Sequence, residues 1–124
     1  TPRDMWVDDP ASPLYNQHFV LKNDPVTPWE FKQQMKLNDY AHSLKLFIRH
    51  NAADGRQKPV PGAGSSIFFH IWRRDGGAPT AGCTAMSEEN LRAMIAWLDP
   101  SRHPLYILLP AREYLRLRRA WGLP

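Results

Sequence analysis

The sequence predicts a single small α+β domain built from short strands and short helices, and three observations carry that prediction. Two apolar runs, 43–50 and 66–72, have the two-residue period of strands. Two segments open on helix-capping signals, at Thr27 and at Ser87. Twelve prolines in 124 residues leave little room for long helices. With 43% hydrophobic residues, five of them Trp, the chain can fill one core, so residues 1–124 read as one domain.

The elements follow in chain order. Thr1 to Asn16 is turn-rich, because Asp9-Pro10 and Ser12-Pro13 favour extended or turn backbone. His18 to Leu21 reads as a short strand. Thr27-Pro28-Trp29-Glu30 is a capping box with proline at the first helical position, which predicts a helix to about Lys36. In Ser43 to His50, Leu44, Leu46 and Ile48 alternate with Lys45, Phe47 and Arg49, as in a strand with one buried face. Asn51 to Gly64 is a polar connection with turns at Asp54-Gly55 and Pro61-Gly62. Ser66 to Trp72 is apolar on both faces and reads as a central strand, with Phe68, His70 and Trp72 on one side of it. Ser87 caps a helix whose apolar residues Leu91, Met94, Ile95 and Leu98 share one face, and Asp99-Pro100 stops it. Leu105 to Leu109 reads as a buried strand. Ala111 to Trp121 reads as a last helix with Tyr114, Leu117 and Trp121 inward and Gly122 as its C-cap.

Charge and composition exclude several function classes. The net charge is +4, yet no basic run is interleaved with stacking aromatics, so nucleic acid is not the expected partner. Much of the excess lies between Arg112 and Arg119, a solvated helix face or an attraction for an anionic surface. No apolar run approaches the roughly 20 residues of a membrane span. A single cysteine excludes an intrachain disulfide. His18, His42, His50 and His103 lack metal-ligand spacing, and the glycines form no phosphate-binding loop, so neither a metal nor a cofactor is expected. Asp8 and Asp9 read as turn formers before Pro10.

The candidate chemistry lies between Ser65 and Asn90. Cys83, the only cysteine, follows the small-residue turn Thr80-Ala81-Gly82, where Gly82 permits tight backbone around a thiol and its N–H. A lone cysteine is commonly an inert core residue. Only a few per cent of a free thiol is thiolate at neutral pH, so a nucleophile needs a base or a cation. His70 is the candidate base, with Arg73 and Arg74 as nearby cations.

These residues resemble the active-site signature of the L,D-transpeptidase catalytic-domain (YkuD-like) family. There, a histidine ending a buried strand precedes a loop and a Ser/Thr-x-Gly-Cys turn, here Phe68-Phe69-His70 and Thr80-Ala81-Gly82-Cys83. The lead-in Pro59 to Ser65 and the segment Val7 to Ser12 are similar as well. The resemblance implies a mainly β, sandwich-like fold, of which this chain would be the C-terminal part, completed by an upstream segment or a second chain. It implies action on peptidoglycan stem peptides in the cell envelope, periplasmic or secreted. Cys83 would form a thioester acyl-enzyme, His70 would move the proton, and the backbone around Gly82 and Cys83 would hold the oxyanion. A main-chain carbonyl would orient the histidine.

The sequence departs from that family's usual Ser-His-Gly-Cys-x-Arg. Ala81 removes a second histidine, and Ala85 removes a substrate-anchoring arginine. Arg73 or Arg74 would replace the anchor, with Thr80 and Ala81 lining the substrate. The Cys-x-Ala-Met form, Cys83 to Met86, is similar to a branch that hydrolyses peptidoglycan–lipoprotein links, so hydrolysis stands beside transpeptidation. A reading from another class is a non-catalytic module that binds the cell wall through its basic helix.

Overall fold

In the computed structural model, which describes residues 1–124, the chain forms two sheets and three α-helices. Strands β1 (Asp4–Trp6) and β2 (His18–Val20) pair antiparallel, with Met5 opposite Phe19. Strands β3 (Lys45–Phe47), β4 (Phe68–Ile71) and β5 (Thr84–Met86) form a second sheet with β4 in the centre. β3 runs antiparallel to β4 and β5 parallel to it. Both sheets are open and the helices hold more residues than the strands, so the architecture is mixed α/β rather than mainly β.

The capping signals act as their chemistry predicts. Thr27 and Glu30 form a reciprocal capping box at the start of α1 (Pro28–Gln33). Ser87 accepts from the Asn90 N–H at the start of α2 (Glu88–Trp97). The last helix, α3 (Ala111–Leu117), departs from expectation: it stops short of Trp121, with Arg118 rather than Gly122 as its C-cap. Gly122, at φ 63°, lies in the turn beyond, where Leu123 N–H donates to the Arg118 carbonyl at 2.8 Å.

All four β4 residues are buried, so the central strand has a core on each face. On one face Phe69 and Ile71 pack with Leu91 of α2, and Leu44, Leu46, Ile48, Met86, Met94 and Ile95 surround them. On the other, Phe68 meets Trp6 edge-on at 5.2 Å, and Trp6 packs on Phe47 at 3.9 Å. That aromatic cluster joins the two sheets.

Four further expectations are corrected. The first is α1, which stops at Gln33 rather than Lys36. Gln34 leaves the helix to bridge Met5, and Met35 N–H donates to the Asp4 carbonyl. Sheet hydrogen bonds outweigh one more helical turn there. Second, Thr1 to Asn16 is not only turns, because it supplies β1. Third, Leu105 to Leu109 forms no strand and is not buried: Leu105 is 90% and Leu108 70% exposed. Tyr106, though 42% exposed, meets Phe69 edge-on at 4.6 Å. Finally, Trp121 is 55% exposed, so α3 buries less of its apolar face than its periodicity predicts.

Candidate active site

His70 sits on β4 and is 3% exposed. Its Nδ1 lies 2.8 Å from the Ile71 carbonyl oxygen. A carbonyl only accepts, so Nδ1 carries a proton, and in the neutral tautomer this contact selects the lone pair lies on Nε2. The contact fixes the direction in which that nitrogen points.

Cys83 lies immediately before β5 and is half-buried. The parallel register pairs Phe69 with Thr84 and His70 with Ala85. Since strand side chains alternate, Cys83 and Ala85 share the face of His70. Ala85 is thus the direct lateral neighbour of the imidazole. The thiol itself donates to the Ser66 carbonyl at 3.6 Å, not to His70. Contacts of this kind are commonly loose without substrate and tighten in the reacting complex.

The turn before Cys83 is held by Thr80. Its hydroxyl donates to the Cys83 carbonyl at 2.6 Å and accepts from the Gly82 N–H at 3.3 Å. Thr80 is therefore engaged in shaping the turn, while Ala81 is exposed. Gly82 has φ 141°, and a Cβ there would lie 3.0 Å from Ile67 Cδ1. Both facts demand glycine. Gly82→Ala is expected to cost about 1–3 kcal/mol and to displace the thiol. Its melting temperature and the rate of Cys83 alkylation should both fall, and an unchanged alkylation rate would show the turn is not what positions the sulfur.

A second group of polar side chains surrounds His70, and sequence reading missed it. The His42 ring stacks on the His70 ring, with centroids 4.8 Å apart and planes at 28°. His42 Nδ1 is 2.7 Å from Asp39 Oδ1, and Arg73 Nη2 is 2.7 Å from Asp39 Oδ2. Burial pushes the Asp39 carboxyl up, but hydrogen bonds from Arg73 and His42 outweigh it and hold it well below the usual range. Lys45 pairs with His70 across β3 and β4, and its ammonium donates to the Met35 carbonyl. Desolvation pulls Lys45 down, while the charges of Asp39 and Cys83 push it up.

Two clefts flank these residues. One, of about 460 Å³, is lined by Trp6, Met35, Lys36, His42, Lys45 and Phe68, among others. The other, of about 490 Å³, is lined by Arg73, Arg74, Tyr40 and Glu88, among others. Arg73 is committed to Asp39, and Arg74 sits at φ 50° on the exposed loop. Cys83 lines neither cleft. His18 instead pairs with Asp4, and His50 with the Ala63 carbonyl. No group of three or more His, Cys, Asp or Glu side chains is placed to hold a metal ion.

The signal for His42, Asp39 and Lys45 was weak. Asp39-Tyr40-Ala41-His42 is a capped turn in which Asp39 accepts from the His42 N–H. Only the β3–β4 register brings that turn and Lys45 against His70.

A family model of the L,D-transpeptidase catalytic domain (YkuD) matches residues 2–107. No curated protein and no solved structure matches the chain.

Proposed function

This chain belongs to the L,D-transpeptidase catalytic-domain family, and on that premise we propose that it is a cysteine-dependent acyltransferase of peptidoglycan stem peptides. Membership supports a peptidoglycan-modifying enzymatic function, and the chain's own chemistry supplies the finer reading. The observation that supports it is the parallel pairing of His70 with Ala85, two residues after Cys83, with His70 Nδ1 anchored on a carbonyl.

In the proposed reaction Cys83 passes its thiol proton to His70 Nε2, and the thiolate attacks the carbonyl carbon of the third, L-centre stem residue. Main-chain N–H at the Gly82-Cys83 turn faces the developing oxyanion. The tetrahedral intermediate collapses, the C–N bond breaks, and the His70 imidazolium protonates the leaving amine of the terminal D-residue. A thioester on Cys83 remains. An amine from a neighbouring stem then attacks it, gives its proton to His70, and releases the thiol to form a crosslink. With water as acceptor the same steps give hydrolysis.

We place the activity in the cell envelope because its substrate lies there. No helix of the structure is long and apolar enough to cross a membrane. The test is incubation with stem tetrapeptides, followed by mass spectrometry of the protein and products. The expected result is an acyl adduct on Cys83 that gives crosslinked dimer. Free tripeptide alone assigns hydrolysis instead. Cell-wall binding without any adduct refutes the enzymatic reading and leaves a binding module.

A further inference from the structure

Two histidines stacked ring on ring are uncommon company for a general base. A proton-accepting imidazole becomes an imidazolium in the reaction, and a second positive ring at 4.8 Å would oppose that change. A neutral ring at the same place does the reverse, because its π face attracts a cation. The charge state of His42 therefore matters to His70 whether or not substrate touches His42.

The surroundings of His42 point to a neutral ring with a fixed tautomer. The Asp39 carboxylate only accepts, so its 2.7 Å contact places a proton on His42 Nδ1. That contact outweighs the longer, 3.3 Å approach of the Arg73 guanidinium, itself a donor, to the same nitrogen. Arg73 neutralises Asp39 from the other side, which weakens the pull of the carboxylate toward a charged imidazole. Lys45 on β3 and His70 on β4 face the ring as cations or potential cations, and Lys36 and His18 line the same cleft with Asp4 as its acid.

We propose that His42 is a positioning residue for His70: its neutral ring, held by Asp39, backs the imidazolium that His70 becomes, and protonation of His42 turns that support into repulsion. This rests on the reading of His70 as the base for Cys83. Burial lowers the affinity of His42 for a proton more than Asp39 raises it, in keeping with a neutral ring at pH 7. As pH falls below the ordinary histidine range, His42 takes up its proton, and the transfer of the Cys83 proton to His70 is then opposed.

Alkylation of Cys83 by iodoacetamide, followed against pH, reads thiolate formation without any substrate. His42→Phe keeps a ring in the stack and removes the charge. It should shift the acid limb of the reactivity profile down by roughly one pH unit. His42→Ala removes the ring and should lower reactivity at pH 7 by about tenfold. If the His42→Phe profile superimposes on the wild type, or rates fall while the profile stays fixed, the inference is overturned, since a structural role alone would do no more. His70→Gln separates the two readings. If it moves the profile and the His42 variants do not, only this inference fails. If it leaves the wild-type profile unmoved, the Cys83–His70 pairing fails and takes this inference with it.

Discussion

For the proposed reaction, Cys83→Ala is expected to abolish acyl transfer, with a loss of more than about 10⁴-fold, and His70→Gln to lower it by about 10²–10⁴-fold at neutral pH. The two losses differ because the two groups do different things. Without sulfur there is no atom to carry the acyl group, so no thioester forms. Without the imidazole the thiol persists, and the small thiolate fraction that any free thiol keeps at neutral pH sustains a slow reaction. Glutamine is close in size to the native ring and has an amide N–H for the Ile71 carbonyl, so His70→Gln removes the base with little loss of packing. Product formation from stem tetrapeptides measures both. A Cys83→Ala protein that still releases the terminal D-residue at wild-type rate would remove the thiol from the mechanism.

Asn16→Ala costs roughly 3–5 kcal/mol of stability, the largest effect expected away from the dyad. Asn16 is 2% exposed and sits at φ 53°, a conformation that asparagine tolerates. Its Nδ2 donates to the His50 and Asn51 carbonyls at 3.0 and 2.8 Å. Its Oδ1 accepts from Trp6 Nε1 at 2.8 Å and from the Ser66 N–H at 3.0 Å. One amide thus ties the small sheet, the end of the β3 segment and the entrance to β4. Truncation leaves two donors and two acceptors without partners. Ser66 is itself at φ 53°, and its carbonyl receives the Cys83 thiol, so the same change should alter thiol reactivity. Asn16→Gly isolates the hydrogen bonds, because glycine accepts the backbone conformation freely. Chemical denaturation measures the loss, and an Asn16→Gly protein as stable as the wild type would show that the network contributes nothing.

The uneven legibility of this chain has a physical cause in each case. α2 was readable from Ser87, Glu88, Glu89 and the spacing of Leu91, Met94 and Ile95, because capping and amphipathic period are local. β4 was readable from its double-faced apolar run. β1 was not, since three residues that pair with β2 and bridge Gln34 carry no period of their own. Leu105 to Leu109 misled, because an apolar run states only that burial would be favourable. Whether a partner surface exists is a property of the rest of the fold.

The amino-acid sequence by itself determined the chemistry that is available: one thiol, a histidine on a buried strand, a turn whose Gly82 admits no side chain, and Ala at positions 81 and 85. Those follow from residue identity and local backbone preference. Only the tertiary structure decided what company that chemistry keeps. The parallel register set Ala85 beside His70 and turned Cys83 to the same face. The antiparallel register brought Lys45 alongside, and the packing of the Asp39–His42 turn stacked a second imidazole on the first. Strand register and ring stacking are set by contacts between segments far apart in the chain, and no short-range pattern encodes them.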